Sequence, residues 1–206
     1  VPNHASGALR SPHTRQMSCT RAALEDERNM AVSIPFRRDF EFSYGVLEPI
    51  SPLVRRIVAR NPSPYGFKGT GAYIVGHGRV AVIDAGPADP QHIEAILRAL
   101  RGETVTHVLL THTHLDHSPA CPVVAAATGA NTHAFGQHGV RRNDSTGEAG
   151  PDYDFAPDVE LRDGDVVEGP GWSITAVHTP GHTSNHLCYA LAEEGALFTG
   201  DHVMGW

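Results

Sequence analysis

The sequence predicts a mixed α/β sandwich, in which strand-rich segments at both ends flank a central region with two helices. Three observations support it. Short apolar or alternating segments are bounded by turn residues, two helical patterns lie between them, and ligand-type side chains follow directly after strands. The chain has 206 residues, of which 40% are hydrophobic. This size and composition fit one globular domain.

Residues 1–29 differ from the rest of the chain. They contain scattered Arg, Ser and Pro, few large apolar side chains and no periodicity. Such a segment cannot bury enough apolar surface to offset the entropy of ordering. We therefore expect a disordered or non-native N-terminal extension at residues 1–29, with Met30 as a plausible natural start and one domain over residues 30–206.

Turn residues mark the strand boundaries. Ser51-Pro52 separates two β-rich segments, and Gly76-His77-Gly78-Arg79 is a spacer typical of a hairpin. Strands are expected at residues 44–50, 53–59, 72–75, 80–84 and 105–111, and later at 158–161, 165–168, 172–177, 186–191 and 196–199.

Two helices are expected in the central region. Asp89 and Pro90 offer an N-cap and a first-turn proline, and apolar residues then recur at i, i+3, i+4 and i+7 before Gly102. This pattern is typical of an amphipathic helix lying on a sheet. Residues 119–128 predict a second helix, which Gly129 ends.

Composition excludes some classes of protein and favours others. No apolar run approaches the roughly 18 residues of a membrane-spanning helix. The net charge is -7, and no basic run forms a nucleic-acid stripe. A small-molecule substrate is therefore the expected partner, although RNA stays possible because a metal site can itself receive a phosphate. The oligomeric state is left open.

The three cysteines, Cys19, Cys121 and Cys188, show no CxxC spacing. An odd number of cysteines without this spacing indicates neither a disulfide framework nor a zinc ribbon. A reducing, cytoplasmic location is the expectation that follows.

Histidine is the unusual residue, because ten of the 14 histidines lie in the second half of the chain. Residues 111–117 read THTHLDH, directly after an apolar strand. Imidazole nitrogens and carboxylate oxygens are both metal ligands. If the loop turns sharply, His112 and His114 can face one ion while Asp116 and His117 face a second, which indicates a two-metal site.

Three further motifs place ligand-type residues at strand ends. In residues 179–183, TPGHT, a Pro-Gly turn presents His182; residues 198–202, FTGDH, present Asp201. A carboxylate between two cations would offset their repulsion. Residues 82–86, VIDAG, repeat the pattern with Asp84, which could orient a ligand by hydrogen bonds.

In this order, HTHLDH, TPGHT, FTGDH and VIDAG resemble the metallo-β-lactamase superfamily, whose fold is an αββα sandwich with metals at one edge of the sheets. The resemblance covers about residues 44–206 and looks closest to the β-lactamase-like protein 2 group, with glyoxalase II similar at the same motifs. It implies that one zinc is bound by three histidines and a second by a carboxylate and a histidine, with another carboxylate bridging. These residues are, in turn, His112, His114 and His182; Asp116 and His117; and Asp201.

The resemblance implies a zinc hydrolase acting on an ester, thioester or phosphodiester through a hydroxide, with Asp116 as catalytic residue. Two alternatives are a mononuclear iron dioxygenase of the persulfide type, using His112, His114 and Asp201, and an inactive zinc-binding fragment. The superfamily's final histidine ligand lies downstream of the bridging Asp. Because His202 follows Asp201 immediately, it is not expected to replace that ligand, and a C-terminally incomplete domain is expected.

Overall fold

The computed structural model describes residues 39–139 and 149–204. The predicted N-terminal extension at residues 1–29 lies outside the described residues, as do Met30 and Cys19.

The larger of two sheets contains seven strands in chain order. The first four are antiparallel neighbours, and the pairings from the fourth to the seventh are parallel. Parallel strands place their carboxyl ends at the same edge of a sheet. The strands are β1 (Glu48–Pro49), β2 (Val54–Val58), β3 (Gly71–Val75), β4 (Arg79–Ile83), β5 (Thr104–Leu109), β6 (Asn131–Ala134) and β7 (Val159–Glu160).

The second sheet is antiparallel throughout, with the spatial order β11-β10-β9-β8. Burial alternates along its strand from Trp172 to His178, so Trp172, Ile174 and Ala176 face the interior. The strands are β8 (Val166–Gly169), β9 (Trp172–His178), β10 (Leu187–Leu191) and β11 (Ala196–Phe198).

Both predicted helices are confirmed. Helix α1 (Pro90–Ala99) begins after Asp89, whose side chain accepts a hydrogen bond from the Gln91 N–H at 2.9 Å. This bond satisfies one of the backbone donors left free in the first turn. Helix α2 (Ala120–Thr128) ends at Gly129, which adopts the left-handed conformation at φ 74°.

Two apolar cores lie on the two faces of the seven-stranded sheet. One packs α1 and α2 against strands through side chains such as Ile96, Val124 and Val82. The other fills the space between the sheets, around Trp172 and Tyr189. The layers are therefore helices, sheet and sheet, as predicted for a mixed α/β sandwich. Neither α-helix of the described ranges covers the outer face of the second sheet.

Two expectations differ from the structure. Of the strand expected at residues 44–50, only Glu48–Pro49 forms, and Tyr44 makes an isolated bridge to Val58. Gly45 has φ 65°, a left-handed conformation that interrupts the extended backbone directly after Tyr44. Strand β6 was not predicted because its four residues, NTHA, show neither an apolar run nor alternation. It forms because β5 and β7 pair with both of its edges.

Within the described part of the chain, none of the helices has the length and apolarity needed to cross a membrane. Cys121 and Cys188 are both buried and free. Buried thiols of this kind behave as small apolar side chains.

The β3–β4 hairpin gives a test of the packing between the sheets. Gly76 has φ 90°, and a Cβ there would lie 2.3 Å from Trp172 Nε1, whereas Gly78 has φ 71° and open space around it. Both Gly→Ala changes strain the backbone, but only Gly76→Ala also displaces the buried indole. We expect Gly76→Ala to lower the free energy of unfolding by about 1–3 kcal/mol more than Gly78→Ala in urea denaturation. Equal losses would show that Trp172 does not constrain this turn.

Candidate metal centre

The ligand-type side chains converge at one edge of the sandwich. Strands β4 and β5 run parallel, so Asp84 after β4 lies beside the THTHLDH loop after β5. In the second sheet, β9 leads to the turn that carries His182, and β11 leads to the 3-10 turn that carries Asp201. Four loops from different parts of the chain therefore meet at this edge of the sandwich.

Asp84 connects two of these loops. It is buried, with 3% of its surface exposed, and has φ 51°, a left-handed conformation that Asp tolerates better than most residues. Its Oδ1 accepts the Thr111 N–H at 2.7 Å, and its Oδ2 accepts the Thr111 hydroxyl at 2.7 Å. His117 Nδ1 lies 3.0 Å from the same Oδ2. This carboxylate thus fixes the start of the loop and leaves His117 Nε2 facing the centre of the site.

His112, His114 and His182 form the first of two groups that could hold a cation. One ring nitrogen from each lies within 4.8 Å of the others. His112 Nδ1 is 3.0 Å from the Thr111 hydroxyl, whereas its buried Nε2 has no hydrogen-bond partner. His114 Nδ1 and His182 Nε2 are 2.9 Å apart. An orphaned buried nitrogen beside two converging imidazoles fits a divalent cation with nitrogen ligands.

The second group contains His112, His117 and Asp201, again with ligand atoms within 4.8 Å. Asp201 Oδ1 lies 3.3 Å from His117 Nε2, and Asp201 Oδ2 lies 3.6 Å from His182 Nε2. Asp116 Oδ2 is 3.7 Å from His117 Nε2. Five of the six ligands proposed from the sequence therefore belong to these two groups, and Asp116 lies outside both, next to His117. The Asp201 carboxylate faces histidines of both groups.

Burial and mutual repulsion favour the neutral forms of His112 and His114. Burial, together with the neighbouring histidines, holds the pKa of His112 well below its usual value. The same causes lower the pKa of His114 to about 4. Neutral imidazoles offer a lone pair at physiological pH, which is the form that binds metal.

For His117 and Asp201, the pKa shifts favour the charged forms. Burial opposes the charge on His117, but its hydrogen bonds to Asp201 and Asp84 raise its pKa well above the usual value. Burial likewise opposes the charge on Asp201, yet the hydrogen bond from His117 and that residue's charge lower the pKa of this carboxyl. For Asp116, burial raises the pKa. A proton on His117 thus lies between carboxylates, where a cation would also be stabilised.

The site lies in a cavity of about 350 Å³. Asp84, Asp116, His117, Asp201 and Tyr73 are among the residues of its wall. This volume is within the range of small-molecule sites. Asp116, His117 and Asp201 are therefore accessible from this cavity.

Several residues at the site were not identified from the sequence. Thr70 donates to Asp116 Oδ2 at 3.4 Å. Asn185 Nδ2 donates to the Thr113 hydroxyl at 2.9 Å and to the Gly136 carbonyl at 3.1 Å, which joins the His182 turn to the β5 loop. His138 Nδ1 lies 2.8 Å from the same Thr113 hydroxyl. These residues come from distant segments without a motif, so spacing along the chain gives no signal for them.

His186 packs directly against the metal ligands. It is fully buried, its ring lies 5.1 Å from that of His112, and its Nδ1 is 2.9 Å from the Thr179 hydroxyl. These contacts give His186 a structural, hydrogen-bonding position behind the ligands. His202 is exposed and belongs to neither ligand group of the described ranges.

Comparisons with known proteins give one consistent family. A family model described as the Metallo-beta-lactamase superfamily matches residues 65–205. The chain is 35% identical over 193 residues to the lactamase-like protein aptB of Emericella nidulans, covering 85% of this chain and 57% of that protein. It is also 35% identical over 162 residues to the atrochrysone carboxyl ACP thioesterase of Aspergillus terreus, covering 77% and 46%. The chain spans about half the length of these relatives.

Solved structures share the fold. A metallo-β-lactamase of Cronobacter sakazakii with a HARLDQ motif superimposes with a TM-score of 0.57 at 22% identity, covering 73% of this chain and 62% of that chain. The BLEG-1 B3 metallo-β-lactamase gives a TM-score of 0.56 at 21% identity, covering 74% and 73%.

The role of Asp84 gives a test that needs no substrate. In Asp84→Asn the side chain keeps its shape but loses the charge that orients His117. We expect the zinc affinity of the protein to fall about 10–100-fold, measured by competition with a chromophoric chelator. Asp89→Asn is the matched control, because Asn also caps helices and Asp89 caps α1. Unchanged zinc affinity in Asp84→Asn would contradict this role.

Proposed function

Because this chain belongs to the metallo-β-lactamase superfamily, we propose that it is a zinc-dependent hydrolase that cleaves a thioester at a dinuclear site. Three histidines would hold one zinc, a carboxylate and a histidine the second, and one carboxylate would bridge them. These are His112, His114 and His182; Asp116 and His117; and Asp201, respectively.

The position of Asp201 carries this proposal. Its two oxygens face different histidines, with Oδ1 toward His117 and Oδ2 toward His182. A carboxylate that only accepted a hydrogen bond from a single histidine would need only one of its two oxygens to face the site. The observed placement supports a bridge between two cations and gives the paired positive charges a shared counterion.

The chain's own groups would orient the attack. Asp116 reaches the cavity wall beside His117 and can accept a hydrogen bond from the attacking water. The Thr70 hydroxyl donates a hydrogen bond to Asp116 Oδ2 at 3.4 Å, the oxygen that also faces His117. When bound, two zinc ions supply the Lewis acidity that lowers the pKa of water to about 7 and neutralises charge in the transition state.

The relatives favour a thioester over the other substrates. One relative is named for thioester cleavage on an acyl carrier protein, and none of those described above is named for RNA. The net charge of -7 also disfavours a phosphate backbone. For this reason the proposed substrate follows the thioesterase relative, and not the β-lactamase-like protein 2 group that the motifs resemble.

We further propose that residues 30–206 belong to one domain and that the protein works in the cytoplasm, where free Cys121 and Cys188 stay reduced.

Metal content separates the proposal from its iron alternative. We expect aerobically purified protein to contain two zinc ions per chain by mass spectrometry. Dialysis against a chelator should abolish hydrolysis of an N-acetylcysteamine thioester, and added zinc should restore it. One iron per chain, with no recovery on adding zinc, would instead support oxygen chemistry at His112, His114 and Asp201.

The proposed role of Asp116 is tested by Asp116→Ala. Loss of this carboxylate removes a metal ligand and the group that orients water, so kcat/KM for the thioester should fall about 100-fold or more. Asp154→Ala is the control, because Asp154 is exposed and does not line the cavity of the site, whereas Asp116 does. Two zinc ions and full turnover in Asp116→Ala would refute the assignment.

A further inference from the structure

The turn that carries His182 is tied to the rest of the protein at few points. In the described part of the chain, residues 180–184 make two hydrogen bonds to residues outside this segment. One joins His182 Nε2 to His114 Nδ1 at 2.9 Å, and both of these residues are candidate ligands. The other joins the Ser184 carbonyl to His178 Nε2 at 3.2 Å. Of these two contacts, only the one from His178 comes from outside the ligand groups.

The bond from His178 closes the turn. A carbonyl oxygen only accepts, so His178 Nε2 carries the hydrogen and donates it to Ser184. His178 is the last residue of β9, and the turn begins directly after it. The bond therefore encloses residues 179–183, with His182 among them. Closing a short loop reduces the number of conformations open to the residues inside it.

The His178 ring lies flat on the ring of Phe135. Their centroids are 4.1 Å apart, and their planes differ by 8°. Both side chains are half-buried. Ring stacking is an attractive contact with a defined geometry, so it favours one orientation of the imidazole. In that orientation Nε2 reaches the Ser184 carbonyl.

Phe135 and His178 are both held by the turn between β7 and β8. Arg162 in this turn donates to the Phe135 carbonyl at 2.7 Å, and its guanidinium carbon lies 5.0 Å from the centre of the Phe135 ring. A cation at this distance is attracted to an aromatic ring. The next residue, Asp163, accepts the His178 backbone N–H at 2.9 Å. Each member of the stacked pair therefore has its own contact to this turn.

The two ends of the ligand-bearing turn are fixed independently of His178. At its start, Thr179 donates its backbone N–H to the His186 carbonyl at 3.0 Å, and its hydroxyl lies 2.9 Å from His186 Nδ1. At its end, Asn185 donates to the Gly136 carbonyl at 3.1 Å. We therefore expect loss of the His178 bond to leave the strands in place and to release only the segment between these ends.

Packing adds little to the position of the tip of the turn. Three of its residues, Pro180, Gly181 and Ser184, are exposed. Thr183 is buried, but its hydroxyl has no hydrogen-bond partner in the described ranges. The position of His182 therefore depends on the hydrogen bond to Ser184 more than on apolar contacts.

A metal ligand needs such support. Zinc–nitrogen bonds are about 2.0–2.1 Å long, and a binding constellation must be held within about 0.5 Å of its productive geometry. His182 Nε2 lies 2.9 Å from His114 Nδ1 and 3.6 Å from Asp201 Oδ2. A shift of the turn would therefore disturb the first ligand group and the carboxylate beside it.

We propose that His178 is a positioning residue of the first ligand group. Its imidazole, stacked on Phe135, holds the Ser184 carbonyl and thereby keeps His182 directed toward the other two histidines of that group. His178 itself binds neither metal nor substrate. This inference rests on the proposed zinc site, because it assigns a residue that supports one of the zinc ligands.

His178→Phe tests the bond without removing the stack, because Phe keeps an aromatic ring on Phe135 and has no donor. His77→Phe is the matched control, because His77 is exposed and its Nε2 lies 2.9 Å from the Pro52 carbonyl, in a hairpin outside both ligand groups. The full zinc-free chain is titrated with zinc against a chromophoric chelator. We expect His178→Phe to raise one zinc dissociation constant about 10-fold, the one that His182→Ala raises most, and His77→Phe to change neither by more than about 2-fold.

Phe135 gives a second pair of variants. Phe135→Leu removes the stacked ring and leaves the donor, so it should raise the same dissociation constant several-fold, whereas Phe135→Tyr keeps the ring and should retain wild-type affinity. Visible absorption of the Co²⁺-loaded protein is a further readout, because it reports the geometry of the ligands. We expect this spectrum to change in His178→Phe and to stay unchanged in His77→Phe. A role in stability alone would lower the urea midpoint of the zinc-free protein and leave the zinc constants as they are.

Unchanged zinc constants and an unchanged cobalt spectrum in His178→Phe would overturn the proposal, and so would equal weakening in His178→Phe and His77→Phe. These measurements need no substrate. If the wild-type protein binds zinc but cleaves no thioester, the proposed function fails, and the zinc constants still decide on His178. If it binds neither zinc nor cobalt, the proposed function and the positioning role both fail.

Discussion

The site depends on one buried carboxylate. Asp84 leaves β4 in a left-handed conformation and accepts hydrogen bonds from the backbone and hydroxyl of Thr111, while its second oxygen also faces His117. Buried charge is costly unless hydrogen bonds compensate it, and these contacts supply that compensation. They also fix where the THTHLDH loop begins and how one of its rings is oriented.

The positions of the candidate ligands could be predicted because each follows a strand. THTHLDH, TPGHT and FTGDH join a strand pattern to a turn, and strand ends of a sandwich meet at an edge. Which oxygen of Asp201 faces which histidine could not be predicted, because that depends on the 3-10 turn from Gly200 to His202. A Cβ at Gly200 would lie 2.7 Å from the Thr111 hydroxyl, so packing between the loops sets this orientation.

Two features of the structure could not be predicted from the sequence, and the structure shows the physical reason for each. The expected strand at 44–50 shortens to Glu48–Pro49, because Gly45 adopts a left-handed conformation at φ 65° that breaks the extended backbone. Asn185 holds two loops together from a position with no motif. Such contacts join segments far apart in the chain, and local spacing contains no information about them.

His112 belongs to both ligand groups, and this has a thermodynamic consequence. Its Nδ1 is occupied by Thr111, so only Nε2 is open, and one lone pair serves one cation. The two loading equilibria are therefore linked through a shared ring. A cation that took this nitrogen in either group would leave the other group one ligand short, with His114 and His182 in one case and His117 and Asp201 in the other. Unequal affinities for two successive cations would follow from this shared ring.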